Sequence, residues 1–221
     1  PARDVQGHRA PLAVIVALAL LYEDPRPPRA PGGSLLGDAL GSVRLVTGSP
    51  RLRLLFPALL WLFAGWMLGF VYVPLVVAAL HPGPDVGSWT GIVSAGGAVA
   101  TVVLTPLLGR YGDRRGHARA LFVGAAAAAV LWPLPAVLPG FEVFAVLWAL
   151  INGVSSALFA LGFIVLAQST PPEAKSRVMT FAYVPVNLGL ALGPAIGTAF
   201  AERSLMAIFP ASSVMTVLGM V

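Results

Sequence analysis

The sequence predicts an all-α polytopic membrane protein, and three observations carry that prediction. Of its 221 residues 57% are hydrophobic and only 10% charged, with a mean hydropathy of +0.85. Soluble domains carry roughly 25% charged residues, so this chain has too few charges to clothe a water-soluble surface. The apolar residues also gather into runs of the length a bilayer demands, about 20 residues for a helix. Transmembrane β-strands would instead alternate polar and apolar side chains over about ten positions, and no such alternation is present.

Six runs follow in close order, at 54–80, 89–108, 120–138, 143–168, 178–201 and 204–221, and none contains Asp, Glu, Lys or Arg. A shorter run at 11–22 (PLAVIVALALLY) lies upstream. It is followed by EDPRPPRAPGG, which reads as a loop and offers no small-residue signal-peptide cleavage site. The sequence starts at Pro1 and stops at Val221 within an apolar run, so both ends read as cuts in a longer protein.

Loop charge orients the spans, because Lys and Arg concentrate on the cytoplasmic side. Loop 23–53 holds Arg26, Arg29, Arg44, Arg51 and Arg53; loop 109–119 holds Arg110, Arg114, Arg115 and Arg119; loop 169–177 holds Lys175 and Arg177. Loops 81–88 and 139–142 hold none, and 202–203 only Arg203. Loops 23–53, 109–119 and 169–177 are therefore expected to face the cytoplasm of a cell (plasma) membrane. A crossing at 11–22 would put Arg3 and Arg9 outside, against the rule.

Enzymatic and metal chemistry find little footing. There is no cysteine, and His8, His81 and His117 stand far apart, so no metal site and no catalytic residue is expected. An intramembrane enzyme needs paired Asp, a Ser/His pair or a zinc-binding His motif within its spans, and none occurs. Nothing points to nucleic acid; the expected partners are the bilayer and a small-molecule substrate.

The stretch GRYGDRRGHAR (109–119) is the most specific in the chain. Gly109 and Gly112 let the backbone turn and the helix ends approach. Asp113 precedes the next helix and favours its positive N-terminal end, and the arginines hold the turn at the anionic inner leaflet. By composition alone this is equally a plain positive-inside turn. The order Gly109-x-x-x-Asp113-Arg114-x-Gly116, followed by Arg119, resembles the signature loop G-x-x-x-D-R-x-G-R-R/K of the major facilitator superfamily, which lies between the second and third helices of each six-helix half. His117-Ala118 departs from it where the family prefers basic residues.

A second stretch agrees. In PPEAKSRVMTFAYVPVNLGLALGPAIGTAF (171–200), Gly189, Gly193 and Gly197 are spaced by four and form one helical strip, with Pro194 permitting a bend. A similar G-x-x-x-G-P-x-x-G stretch lies in the fifth helix of drug/proton antiporters of that superfamily. We read these residues first as helix-packing positions.

The resemblance implies a six-transmembrane-helix half of such a bundle over 54–221, with residues 1–22 as a partial extra helix, the remainder of the preceding one, and 23–53 as the cytoplasmic central linker. That assignment makes this the C-terminal half, whose partner is the missing N-terminal six-helix half of the same protein; an N-terminal half is the alternative. The fourth span lacks the arginine that proton-coupled exporters carry in the N-terminal half, which supports the same choice. The implied activity is secondary active transport by alternating access: proton-coupled efflux of lipophilic molecules or drugs, with no cofactor beyond the proton gradient. The alternatives are a proton-coupled importer or the permease subunit of an ATP-driven transporter.

In the family the first and fourth helices of each half line the central cavity. Candidate cavity residues are Trp61 and Tyr72, which share a face with Gly65 and Gly69; Asn152, Ser155 and Ser156 on one face of the fourth span; and, more weakly, Tyr183 and Asn187. For Asn152, Ser155 and Ser156 the sequence leaves open whether the face lines water or bonds a neighbouring helix. For Trp61 and Tyr72 it leaves open helix packing and an interfacial belt. Pro74 and Pro185 are candidate bends. The resemblance also makes Arg177 a gating residue that pairs across the halves with the other half's signature aspartate.

Overall fold

The computed structural model describes residues 35–220, so the expected helix remainder at 11–22 lies outside the described residues. Contacts divide the chain between Asp38 and Ala39. The first unit contributes only Leu35–Asp38 to the described residues; the rest belong to the second.

The described residues are helical throughout, with no strand among them. Five helical segments are long and apolar enough to cross a membrane: Pro50–Leu80, Val86–Arg115, His117–Val137, Phe141–Gln168 and Pro172–Ala201; a shorter apolar one covers Leu205–Leu218. The chain is thus a multi-pass membrane protein. These five overlap the first five runs read from the sequence, and the expected sixth span at 204–221 is met only by the shorter Leu205–Leu218; three further places differ.

The first is the linker. Residues 35–48, expected as part of a Pro/Gly/Arg-rich loop, form helix α1 (Leu35–Gly48). Val46 of α1 joins a small apolar cluster with Leu52, Phe56, Leu59, Leu166, Val178 and Ala182. Helix α2 (Pro50–Phe70) then begins with proline in its first turn, where a missing N–H costs nothing, so Arg51 and Arg53 belong to the helix.

The second is the C-terminal end of the first span. Pro74 lacks the N–H that would bond Phe70, and the helix breaks there into α2 and α3 (Val73–Leu80). Pro57 of α2 interrupts nothing.

The third is the 109–119 stretch. Helix α4 (Val86–Arg115) runs straight through it, and α5 (His117–Leu131) begins one residue after Gly116. Thirty residues at 1.5 Å each make α4 about 45 Å long, against a hydrocarbon core of about 30 Å. Its last turns therefore stand outside the membrane, where isolated glycines and arginines remain compatible with helix.

Helix α6 (Leu134–Val137) closes the third span, and α7 (Phe141–Gln168) is the fourth. The fifth comprises a 3₁₀ turn at Pro172–Ala174, α8 (Lys175–Phe181) and α9 (Tyr183–Ala201), with the break beside Pro185. Helix α10 (Ile208–Leu218) ends the described chain. The main core lies between α2, α5, α7 and α10, where Trp132, Phe144, Trp148 and Phe209 are fully buried.

Two helix pairs fix the arrangement. Gly189 and Gly193 of α9 lie against the backbone of α2: a Cβ on Gly189 would stand 2.8 Å from the Leu60 carbonyl oxygen, and one on Gly193 2.6 Å from that of Ala64. Gly197 makes room for the Tyr72 ring. Without a hydrophobic drive between helices in lipid, such close approach is what dispersion needs. Helix α4 meets α7 the same way, with Gly97 under the Asn152 side chain and Gly153 against the Ala100 backbone. Pro194 sits within an unbroken α9.

Candidate functional site

At the second-to-third-span junction a single residue makes the turn. Gly116 has φ +94° and ψ 133°, a conformation reserved for glycine. Its N–H donates to the Gly112 carbonyl at 2.7 Å, and its carbonyl accepts from Ala120 at 3.0 Å. The expectation that Gly109 and Gly112 form the turn is corrected: both lie inside α4. Gly112 does allow the close approach, since a Cβ there would come 2.9 Å from the His117 ring; around Gly109 there is open space.

Asp113 stands in the closing turns of α4, and its carboxylate meets Nε2 of His117, the first residue of α5, at 3.1 Å. Gln168, the last residue of α7, donates from Nε2 to His117 Nδ1 at 3.1 Å. With Nδ1 accepting, the proton sits on Nε2 and is donated to Asp113. His117, which departs from the family pattern, is therefore the residue that ties the elbow to the fourth span, and its spacing of four from Asp113 was the available signal. Arg114 and Arg115 occupy the last turn of α4, where cations meet the negative helix end; Arg119 is exposed on the first turns of α5. Arg177 lies elsewhere, its guanidinium 3.4 Å from where a Gly41 Cβ would be on α1.

The polar face of the fourth span turns toward its neighbours. Asn152 Oδ1 accepts from Trp66 Nε1 at 3.3 Å, and Asn152 Nδ2 donates to Thr101 Oγ1 at 3.4 Å. Thr101 donates to the Gly97 carbonyl at 3.0 Å, and its Oγ1 lies within hydrogen-bond distance of Ser156 Oγ at 3.2 Å. One amide thus joins the first, second and fourth spans. Ser155 points away from this group, buried beside a void of about 20 Å³ lined by Trp66, Trp132 and Thr216 among others.

Of the remaining cavity candidates, Trp61, Tyr72 and Asn187 do not converge with Asn152. Trp61 lines an apolar groove of about 480 Å³ with Ile196, Phe200, Pro210 and Val214. Tyr72 donates to the Pro194 carbonyl at 3.1 Å and shares a 2.9 Å hydrogen bond with Thr198, clasping the first span to the fifth. Asn187 bonds back to the Tyr183 carbonyl of its own helix at 2.8 Å.

What does converge is a ladder of rings of which the sequence singled out only Tyr183. Phe70, Trp66 and Phe63 of α2 continue into Phe159 and Phe163 of α7 and on to Tyr183 of α9. Successive centroids lie 6.1, 5.4, 5.0, 4.8 and 5.6 Å apart in edge-on or tilted contact. None of these rings is fully buried, and Phe70 and Tyr183 are 46% and 54% exposed. Along α7 the spacing 152, 156, 159, 163 places Asn152 and Ser156 on the same face as Phe159 and Phe163. Such a surface offers flat, polarizable contact beside one amide and two hydroxyls. Among the described residues no group of three His, Cys, Asp or Glu could hold a metal ion.

Comparison with known proteins adds to this geometry. Residues 54–221 match the family model of the Major Facilitator Superfamily. The chain is similar to the Tetracycline resistance protein, class D, of Salmonella ordonez, 32% identical over 130 residues, or 57% of this chain and 32% of that protein. It is 28% identical over 148 residues to the class G protein of Vibrio anguillarum, 65% of this chain and 36% of that one. It is 26% identical over 112 residues to the Multi-drug resistance efflux pump PmrA homolog of Lactococcus lactis subsp. lactis (strain IL1403), 51% of this chain and 28% of that one. The chain thus spans about a third of the length of the curated relatives it matches. No solved structure matches it.

Proposed function

Since this chain belongs to the major facilitator superfamily, we propose that it is one half of a secondary transporter that exports small lipophilic molecules. It works with a second six-helix half around a site near mid-membrane, by alternating access, and the proton gradient drives it. The observation that carries this reading is the Phe70–Tyr183 ring ladder with Asn152 beside it. Apart from Tyr183 of the fifth span, it lies on the first and fourth spans, the two that line the cavity in this family. A cargo with flat apolar faces stacks on such rings, and a lipophilic cation gains further from their negative faces. The names of the relatives, tetracycline resistance and multi-drug efflux, support the same cargo class.

The described spans offer no ionisable side chain at depth, so the proton-carrying group belongs to the second half in this scheme. Asp113 and Arg177 then act at the cytoplasmic rim, each toward the other half.

The test is transport of tetracycline in everted membrane vesicles from cells expressing the full polypeptide that carries this chain. Uptake should follow an imposed inward-acid proton gradient and vanish with a protonophore. Uptake that needs ATP and ignores the gradient would move the chain to a permease subunit. Accumulation only in right-side-out vesicles would make it an importer.

A further inference from the structure

Where α1 meets the turn between the fourth and fifth spans, the surface opens into a cleft of about 380 Å³ lined by Arg44, Leu45, Ser49, Leu52, Ser169 and Val178, among others. We propose that this cleft holds the phosphate headgroup of an anionic phospholipid, whatever the chain transports.

Three of its polar groups, Arg44, Ser49 and Ser169, are unspent, whereas the Thr170 hydroxyl in the same lining is held by the Leu166 carbonyl. The ion pairs among the described residues are His81–Asp85 and His117–Asp113, so no carboxylate among them neutralises Arg44. Ser49 precedes α2 without capping it through its side chain, and the Ser169 hydroxyl has no hydrogen-bond partner among the described residues. A guanidinium with two free hydroxyls is the donor set that a phosphate diester accepts from, the guanidinium in a two-pronged bond. Exposed Arg51, Arg53, Lys175 and Arg177 flank the cleft on α2 and α8 and raise the local positive potential.

Placement at the inner rim selects lipid over free phosphate. Leu52 and Val178, 2% and 0% exposed, close the base of the cleft, and Arg44 with its flanking cations stands at the end of the spans where anionic headgroups concentrate. The room is that of about a dozen waters, more than a bare phosphate occupies. The inference shares with the proposed function only the inward orientation of this end, which labelling of the 109–119 elbow tests separately.

The experiment uses the full polypeptide in nanodiscs of phosphatidylcholine, with or without phosphatidylglycerol. Native mass spectrometry reads lipid retained and hydrogen exchange reads residues 44–52 and 169–178. Phosphatidylglycerol should be retained and slow exchange in both segments. Arg44→Gln should cut retention about tenfold, and Arg44→Lys should restore part of it. Arg51→Gln removes the same charge outside the cleft and should change retention less than about twofold. Equal losses for Arg44→Gln and Arg51→Gln would reduce the effect to diffuse surface attraction and overturn the site. Equal protection by inorganic phosphate in phosphatidylcholine alone would overturn the lipid assignment, and absence of protection would overturn both.

Discussion

Gly193 lies so close to Ala64 that a Cβ on it would stand 2.6 Å from the Ala64 carbonyl oxygen and 2.9 Å from the Leu68 nitrogen. Those are backbone atoms of a buried helix and cannot swing aside. Gly193→Ala should therefore push α9 off α2 at a cost of about 1–3 kcal/mol, read as a lower unfolding temperature in detergent. Gly91→Ala, with open space around it, should leave that temperature unchanged or raise it slightly.

The elbow makes a similarly sharp contrast. Gly116→Ala forces a side chain into φ +94°, a strain of about 1–3 kcal/mol. Gly109→Ala, in an open helical position, should be neutral. Thermal unfolding of the two variants distinguishes a one-residue turn from the longer loop that the Gly and Arg content suggests.

The Trp66–Asn152 hydrogen bond is testable by a double-mutant cycle of Trp66→Phe and Asn152→Leu. Hydrogen bonds between membrane helices average under about 1 kcal/mol with a maximum near 2. A coupling of about 0.5–1 kcal/mol is expected; loss of the Asn152–Thr101 bond occurs in both variants that lack Asn152 and cancels in the cycle.

Because the chain has no cysteine, single thiols report topology cleanly. Pro84→Cys and Ala118→Cys both introduce exposed positions on opposite sides of the second span. A membrane-impermeant maleimide added to intact cells should label Pro84→Cys and spare Ala118→Cys.

How far the sequence could be read follows from what each feature depends on. The spans depend on local hydropathy, and five of the six runs read from it are helices long enough to cross a membrane, while the last is met by the shorter Leu205–Leu218. The elbow was read too long because glycine and arginine mark loops by composition. Yet a lone glycine costs a helix only about 1 kcal/mol, and α4 absorbs both Gly109 and Gly112. The same bias hid α1 within the linker. Asn152 was legible as a polar face but not as a bridge, since its partners Trp66 and Thr101 stand 86 and 51 positions away. The ring ladder was least legible of all. Phe63, Trp66, Phe159 and Phe163 look like any apolar residues of their spans. Only the rotation of α2 against α7 brings them into one row.

The account stands most directly on whether that row faces the transport path. Proton-driven tetracycline uptake in everted vesicles should be compared for Phe159→Ala, in the ladder, and Phe122→Ala, a 56% exposed ring on α5, at matched expression and unfolding temperature. The account predicts that Phe159→Ala slows uptake about three- to tenfold while Phe122→Ala leaves it unchanged. Unchanged uptake with Phe159→Ala, or an equal loss in both variants, would contradict it.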